Sequence, residues 1–173
     1  MTRCEECGFD PDSVTPDTAP DAVRAFGRRY RAPLTRLLQG EDARAVLSQR
    51  PDPQVWSAVE YAAHVRDVFG LFDRRIAHVL AEENPDLEVV DHDAVVEEGR
   101  YRELDAAVVA DQLAEGAERL GSTLESLAPG DWGRSGRREG EPRSVLEIAR
   151  RAVHEGNHHL LDIGRVLRTV RGR

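Results

Sequence analysis

His154-Glu155-Gly156-Asn157-His158-His159-Leu160-Leu161-Asp162 lies near the end of the 173-residue chain, inside a run from Ser144 to Val170 that reads as one long helix. Ser144 with Glu147 three residues on has the form of a capping box, and apolar residues recur at helical spacing up to Val170. Two i,i+4 pairs of metal-ligand type fall within this stretch, His154/His158 and Glu155/His159, and each pair projects from one side of the helix. At roughly 100° per residue, Val145, Ile148, Ala149, Ala152, Leu160, Ile163, Val166, Leu167 and Val170 share one apolar face. Glu155 and His159 point to the edge of that face. His154 and His158 point the other way, among Glu147, Arg151 and Arg165. A carboxylate turned toward a core is costly unless its charge is compensated, and a metal ion is one such compensation. The formal H-E-x-x-H match is a poor protease signature here. A metzincin would continue with Gly and His where Leu161 and Gly164 stand, and no glutamate follows Glu155.

Outward from that helix, the pattern repeats. Asp21 to Leu38 reads as a first helix with Val23, Phe26, Tyr30, Leu34, Leu37 and Leu38 inward and Pro33 as a candidate kink. A second starts at Trp56-Ser57, where Ser57 and Glu60 repeat the capping-box spacing, and runs to Asn84-Pro85. His64 lies on the margin of its apolar stripe; taken alone, it reads more readily as a hydrogen-bonded core residue than as a ligand. Asp91-His92-Asp93 reads as the start of a short helix capped by Asp93 rather than as a metal cluster. A third long helix spans about Asp105 to Leu127. The segment Asp131–Arg143 reads as a hairpin or loop whose Arg134, Arg137, Arg138 and Arg143 suit an acidic ligand or a solvated surface. Four long amphipathic helices with one long crossover describe an all-α, four-helix bundle.

Ahead of the bundle stands Cys4-Glu5-Glu6-Cys7-Gly8-Phe9, a C-x-x-C-G knuckle, followed by a linker with Pro11, Pro16 and Pro20. The expected division is therefore 1–19 as a Cys-containing extension and 20–173 as the bundle. The knuckle is half of a tetrahedral zinc site, since no other cysteine exists. His154-x-x-x-His158 is another half. Together Cys4, Cys7, His154 and His158 carry the ligand types and local spacings of a Cys2His2 structural zinc site, which would pin the tail to the last helix. The alternative is free thiols, or a Cys4–Cys7 disulfide, beside two surface histidines.

Composition bounds the function. A net charge of −8, with all 24 basic residues arginine, disfavours general nucleic-acid binding. No apolar run is long enough to span a membrane, and two cysteines without a secretion signal point to a reducing cytoplasm.

Three features, in order and spacing, resemble the DinB-like (YfiT-like) superfamily over residues about 20–170. They are Trp56-Ser57-Ala58-Val59-Glu60-Tyr61-Ala62-Ala63-His64, then Asp131-Trp132 with its Gly/Arg continuation, then Glu155-x-x-x-His159-x-x-Asp162-Ile163. This superfamily includes mycothiol-dependent maleylpyruvate isomerases and thiol transferases. The resemblance implies a divalent metal, zinc foremost with nickel or iron as alternatives, held by His64, Glu155 and His159. His154/His158 has the same spacing, so the register of the helical pair stays open. Asp162 is a candidate partner orienting a ligand imidazole. The implied function is a metal-dependent transferase or isomerase using mycothiol or a similar thiol on a small molecule. The rivals are a metal-dependent hydrolase and a non-catalytic, metal-stabilised binding module. No catalytic base is legible, and a homodimer is an open option for assembly. The knuckle is not a general feature of that superfamily.

Overall fold

Short polar side chains set the starts of the long helices. The computed structural model describes residues 1–172. Six helices are present among them: α1 (Ala19–Thr35), α2 (Ala43–Leu47), α3 (Ala58–Ala81), α4 (His92–Glu98), α5 (Ala106–Glu125) and α6 (Val145–Val170). A two-stranded hairpin, β1 (Ser135–Arg138) and β2 (Glu141–Ser144), precedes α6. Ser57 and Ser144 close full capping boxes with Glu60 and Glu147, while Asp105 accepts hydrogen bonds from the first free N–H groups of α5.

The long helices α1, α3, α5 and α6 form the bundle. α1 and α3 each pack against both α5 and α6, so α1 faces α3 diagonally and α5 faces α6. Two of the three connections therefore cross the bundle, where the sequence suggested one long crossover. One runs through α2 and the other through the hairpin.

Several boundaries differ from the sequence reading for local reasons. α1 ends at Thr35, and Leu37 and Leu38 lie 37% and 41% exposed beyond it instead of facing inward. Pro33 is accommodated two residues before the helix ends rather than in mid-helix. The short α4 is capped by Asp91 and not by Asp93. The Asp91 side chain accepts from the Ala94 N–H at 3.1 Å, so the helix opens at His92 and Asp93 falls inside its first turn. The hairpin turns at Glu139 and Gly140, both with positive φ (54° and 83°), the geometry of a type I′ turn.

The N-terminal segment is packed, not loose. Phe9 and Val14 are buried in the same apolar cluster as the bundle core, and Arg150 Nε of α6 donates to the Val14 carbonyl at 3.1 Å.

Candidate metal centre and its cavity

α6 passes Phe26 and Tyr30 of α1 at Gly156. A Cβ there would lie 2.6 Å from ring carbons of Phe26, so only glycine permits this approach. The buried Tyr30 hydroxyl donates to the Gly156 carbonyl at 2.8 Å. Burial pushes the Tyr30 phenol well above its ordinary value. This contact sets the rotation and height of α6, and with them the direction of the neighbouring Glu155.

Glu155 meets His159 one turn later and His64 from α3. His159 Nε2 lies 3.2 Å and His64 Nε2 3.8 Å from Glu155 Oε2, and the donor atoms of all three residues fall within 4.8 Å of one another. The two imidazoles stand nearly perpendicular at 86°, with centroids 4.8 Å apart. Aromatic side chains from the start of α3 fix them: Tyr61 stacks on His159 at 5.2 Å and Trp56 leans on His64 at 5.2 Å. Asp162 Oδ2 lies 3.1 Å from His159 Nδ1, which leaves Nε2 directed at Glu155.

The electrostatics follow from this packing. Burial alone would raise the Glu155 carboxyl, but His159, His64 and the Arg151 guanidinium 2.8 Å away hold it well below the carboxylate range. Burial would likewise lower His159, and the hydrogen bonds to Asp162 and then Glu155 instead carry it up to about 9. Two imidazole nitrogens and a carboxylate oxygen converging at this spacing form a donor set suited to a divalent ion of the zinc class. No fourth His, Cys, Asp or Glu joins the three among the described residues.

Beside the cluster opens a cavity of about 400 Å³. Glu155 and His92 lie in its wall, with Val68, Phe72 and Ile148 on the apolar side. Arg75, Arg138, Arg143 and Arg151 supply its positive charge. Strand pairing accounts for two of these: Arg143 is opposite Gly136, and Arg138 is two residues along, so both leave the same side of the hairpin. Arg75 is 7% exposed, and the Nε atoms of Arg75 and Arg138 are buried without a hydrogen-bond partner among the described residues. Burial and then the nearby Arg138 lower the Arg75 guanidinium. Of the arginines singled out in the sequence, Arg138 and Arg143 line the cavity. Arg134 instead donates to the Glu82 carbonyl, and the Arg137 backbone bridges to residues 85–87.

Residues 18–163 match the family model described as the DinB superfamily. The chain belongs to the DinB superfamily. No curated protein sequence matches it. YfiT from Bacillus subtilis, described as a probable metal-dependent hydrolase with an unusual four-helix bundle topology, is similar in structure. The TM-score is 0.80 at 17% identity, over 91% of this chain and 90% of YfiT. A mycothiol-dependent maleylpyruvate isomerase is similar with a TM-score of 0.69 at 14% identity, over 90% of this chain and 63% of the isomerase. At these identities the likeness speaks for the fold.

Within this DinB chain the structure brings together His64, Glu155 and His159, with Asp162 behind His159. His154 and His158 instead turn toward Cys4 and Cys7 of the N-terminal segment, so the pair grouped with His64 is Glu155/His159. His92, set aside in the sequence as part of a helix start, lies beside this cluster. Its ring packs edge-on against His64 at 4.8 Å, and burial followed by His64 lowers its basicity. The sequence offered a signal in Asp91-His92-Asp93, but nothing local showed that the first turn of α4 docks on α3.

Proposed function

We propose that this DinB protein is a metal-dependent enzyme acting on a small anionic molecule, with a low-molecular-weight thiol of the mycothiol class as cosubstrate. The observation that carries the reading is the shared position of Glu155. It belongs to the three-donor cluster and also to the wall of the arginine-lined cavity. A ligand held by the arginines is thereby set against the cluster.

His64, Glu155 and His159 would hold the ion. Zinc suits the donors best; nickel and iron accept them as well. A divalent ion there supplies charge that favours the deprotonated form of a thiol or of water at neutral pH. The chain's own groups do the rest. Arg75 and Arg138 each keep a buried Nε–H without a hydrogen bond among the described residues, Arg138 Nε standing 3.7 Å from the Glu139 carboxylate, and would bind an anionic substrate, with Arg143 adding charge from the same side of the hairpin. Val68, Phe72 and Ile148 exclude water from the apolar part of the ligand. His92, which lines the cavity wall outside the donor cluster, would take the proton released by the incoming nucleophile. Asp162 orients the His159 ring through Nδ1.

A three-residue donor set beside a cavity favours turnover over a closed structural site, because a non-catalytic module would be served by a fourth protein ligand. Hydrolysis is the second reading, since the same nucleophile position accepts water. Elemental analysis followed by assays with and without mycothiol separates the two. Transfer or isomerisation of an anionic substrate that requires the thiol supports the proposal. Turnover undiminished when thiol is omitted assigns hydrolysis instead. A metal-loaded protein inert in both assays rejects catalysis. Arg138→Ala is expected to raise KM for an anionic substrate about tenfold with a smaller effect on kcat, the mark of lost ground-state binding.

A further inference from the structure

Cys4, Cys7, His154 and His158 converge, although at least 147 positions separate the knuckle from the helical pair in the chain. Their donor atoms all lie within 4.8 Å of one another, and Cys4 Sγ is 3.7 Å from His158 Nδ1. Around a tetrahedral zinc, bonds of about 2.3 Å to sulfur and about 2.0–2.1 Å to nitrogen place S and N about 3.6 Å apart. The observed separation fits two ligands sharing an ion, and is also within reach of a thiol–imidazole hydrogen bond. Ordinary thiol–imidazole packing does not require the other two donors to close in as well.

The knuckle has the backbone this needs. The Gly8 N–H donates to the Cys4 carbonyl at 3.0 Å, the Cys4 N–H donates to the Phe9 carbonyl at 2.9 Å, and Gly8 adopts a φ of +71°. That left-handed residue curls the chain so that both sulfurs face α6. Phe9 then folds over His154, with ring centroids 5.5 Å apart, and is itself buried.

A second observation is independent of the spacing. Nδ1 and Nε2 of His154 are both buried and neither has a hydrogen-bond partner among the described residues. A neutral imidazole always carries one donor and one acceptor, so burying both unpaired is costly. The lone pair of one nitrogen finds its partner if an ion lies between His154 and the sulfurs. Both cysteines are free thiols, available as ligands.

We propose that Cys4, Cys7, His154 and His158 bind a structural zinc ion, separate from the inward cluster, that clamps the N-terminal segment onto α6. On binding, each thiol loses its proton to solvent, two Zn–S and two Zn–N bonds form, and no oxidant or reductant is involved. The clamp has a consequence for the cavity, because Met1 lies in its wall. It also abuts the inward cluster: Asp162 Oδ2 is 3.7 Å from His158 Nε2 and 3.1 Å from His159 Nδ1, so one carboxylate stands behind an imidazole of each set. The half contributed by Cys4 and Cys7 lies outside the family match, which begins at residue 18.

Cobalt substitution of the full chain tests this without reference to activity. Co(II) added to metal-free protein should give the intense near-ultraviolet thiolate-to-cobalt absorption, reaching its full height at one equivalent in that site. Zinc should abolish the band. The Cys4→Ser/Cys7→Ser variant should lose the band and one equivalent of bound zinc, while His64→Ala should keep the band and lose a different equivalent. Unchanged metal content in His64→Ala would count against the inward site and leave the clamp standing. Absence of a thiolate band in cobalt-loaded wild type overturns the proposal, even if the double variant fails to fold. So does alkylation of both cysteines at equal rates with and without zinc.

Discussion

Gly156 is the smallest residue in the ligand-bearing stretch and one of the most constrained. An alanine there would place its methyl within 2.6 Å of the buried Phe26 ring, so one of the two helices must move. Gly156→Ala is expected to cost about 1–3 kcal/mol by chemical denaturation, the usual penalty of overpacking, despite alanine's better helix propensity. A variant more stable than wild type would show that Phe26 yields easily. His64 poses a different question, since it lies on another helix from Glu155 and His159. His64→Ala should lower bound metal by about one equivalent per chain when the protein is loaded and desalted, because two remaining donors hold a divalent ion weakly. Unchanged metal content would remove His64 from the set. Sequence alone showed why Glu155 faces inward, through the helical period. It did not show that His92 lies beside His64, because that position depends on where a separate short helix docks.

Among the elements, α3 is the one whose start is most heavily tied down. Glu60, 2% exposed, accepts from Ser57 N–H and hydroxyl and from Arg50, which also reaches Glu97. Burial alone would raise the Glu60 carboxyl, but Arg50 and then Ser57 outweigh it and hold it below its ordinary value of 4.5. A depressed carboxylate contributes stability in full above its ordinary value, and that contribution is lost as pH falls through the lower folded value. Arg50→Ala should therefore cost about 3 kcal/mol at pH 7, toward the low end for a broken buried pair because Arg50 keeps some solvent contact. Glu60→Gln should be destabilised at pH 7 and should lose less further stability than wild type between pH 5 and 3. Urea titrations at stepped pH read both effects, and parallel acid limbs for the two proteins would show that Glu60 does not titrate in this window. The capping spacing of Ser57 and Glu60 was visible in the sequence. Arg50 was not, because it arrives from the connection preceding the helix.

Across the whole molecule, charge separates two kinds of ligand. The net charge is −8, yet four arginines are gathered around one cavity by α3, the hairpin and α6. Such a concave cluster favours a small anion, while the acidic remainder of the surface repels a polyanion. The protein is expected to show no salt-dependent affinity for duplex DNA in fluorescence anisotropy at 50–200 mM salt. Tight binding that weakens steeply across about that range would overturn the small-anion reading. Among the described residues no helix is long and apolar enough to cross a membrane.

Much of this architecture follows from periodicity and end signals, which are local. Hydrophobic residues at helical spacing define the four long helices, Ser57, Asp105 and Ser144 mark where three of them begin, and the pair Glu155/His159 follows from the turn of α6 itself. These properties depend on neighbours within about one turn, so a sequence carries them unaided. What only the tertiary structure decided are meetings between distant segments. The diagonal connections bring His64 to Glu155, the hairpin carries Arg138 and Arg143 to the cavity with Arg75, and the knuckle lies on His154 and His158. Each such meeting depends on how helices rotate and cross as they pack, through contacts such as Phe26 with Gly156. No spacing within a single helix encodes that.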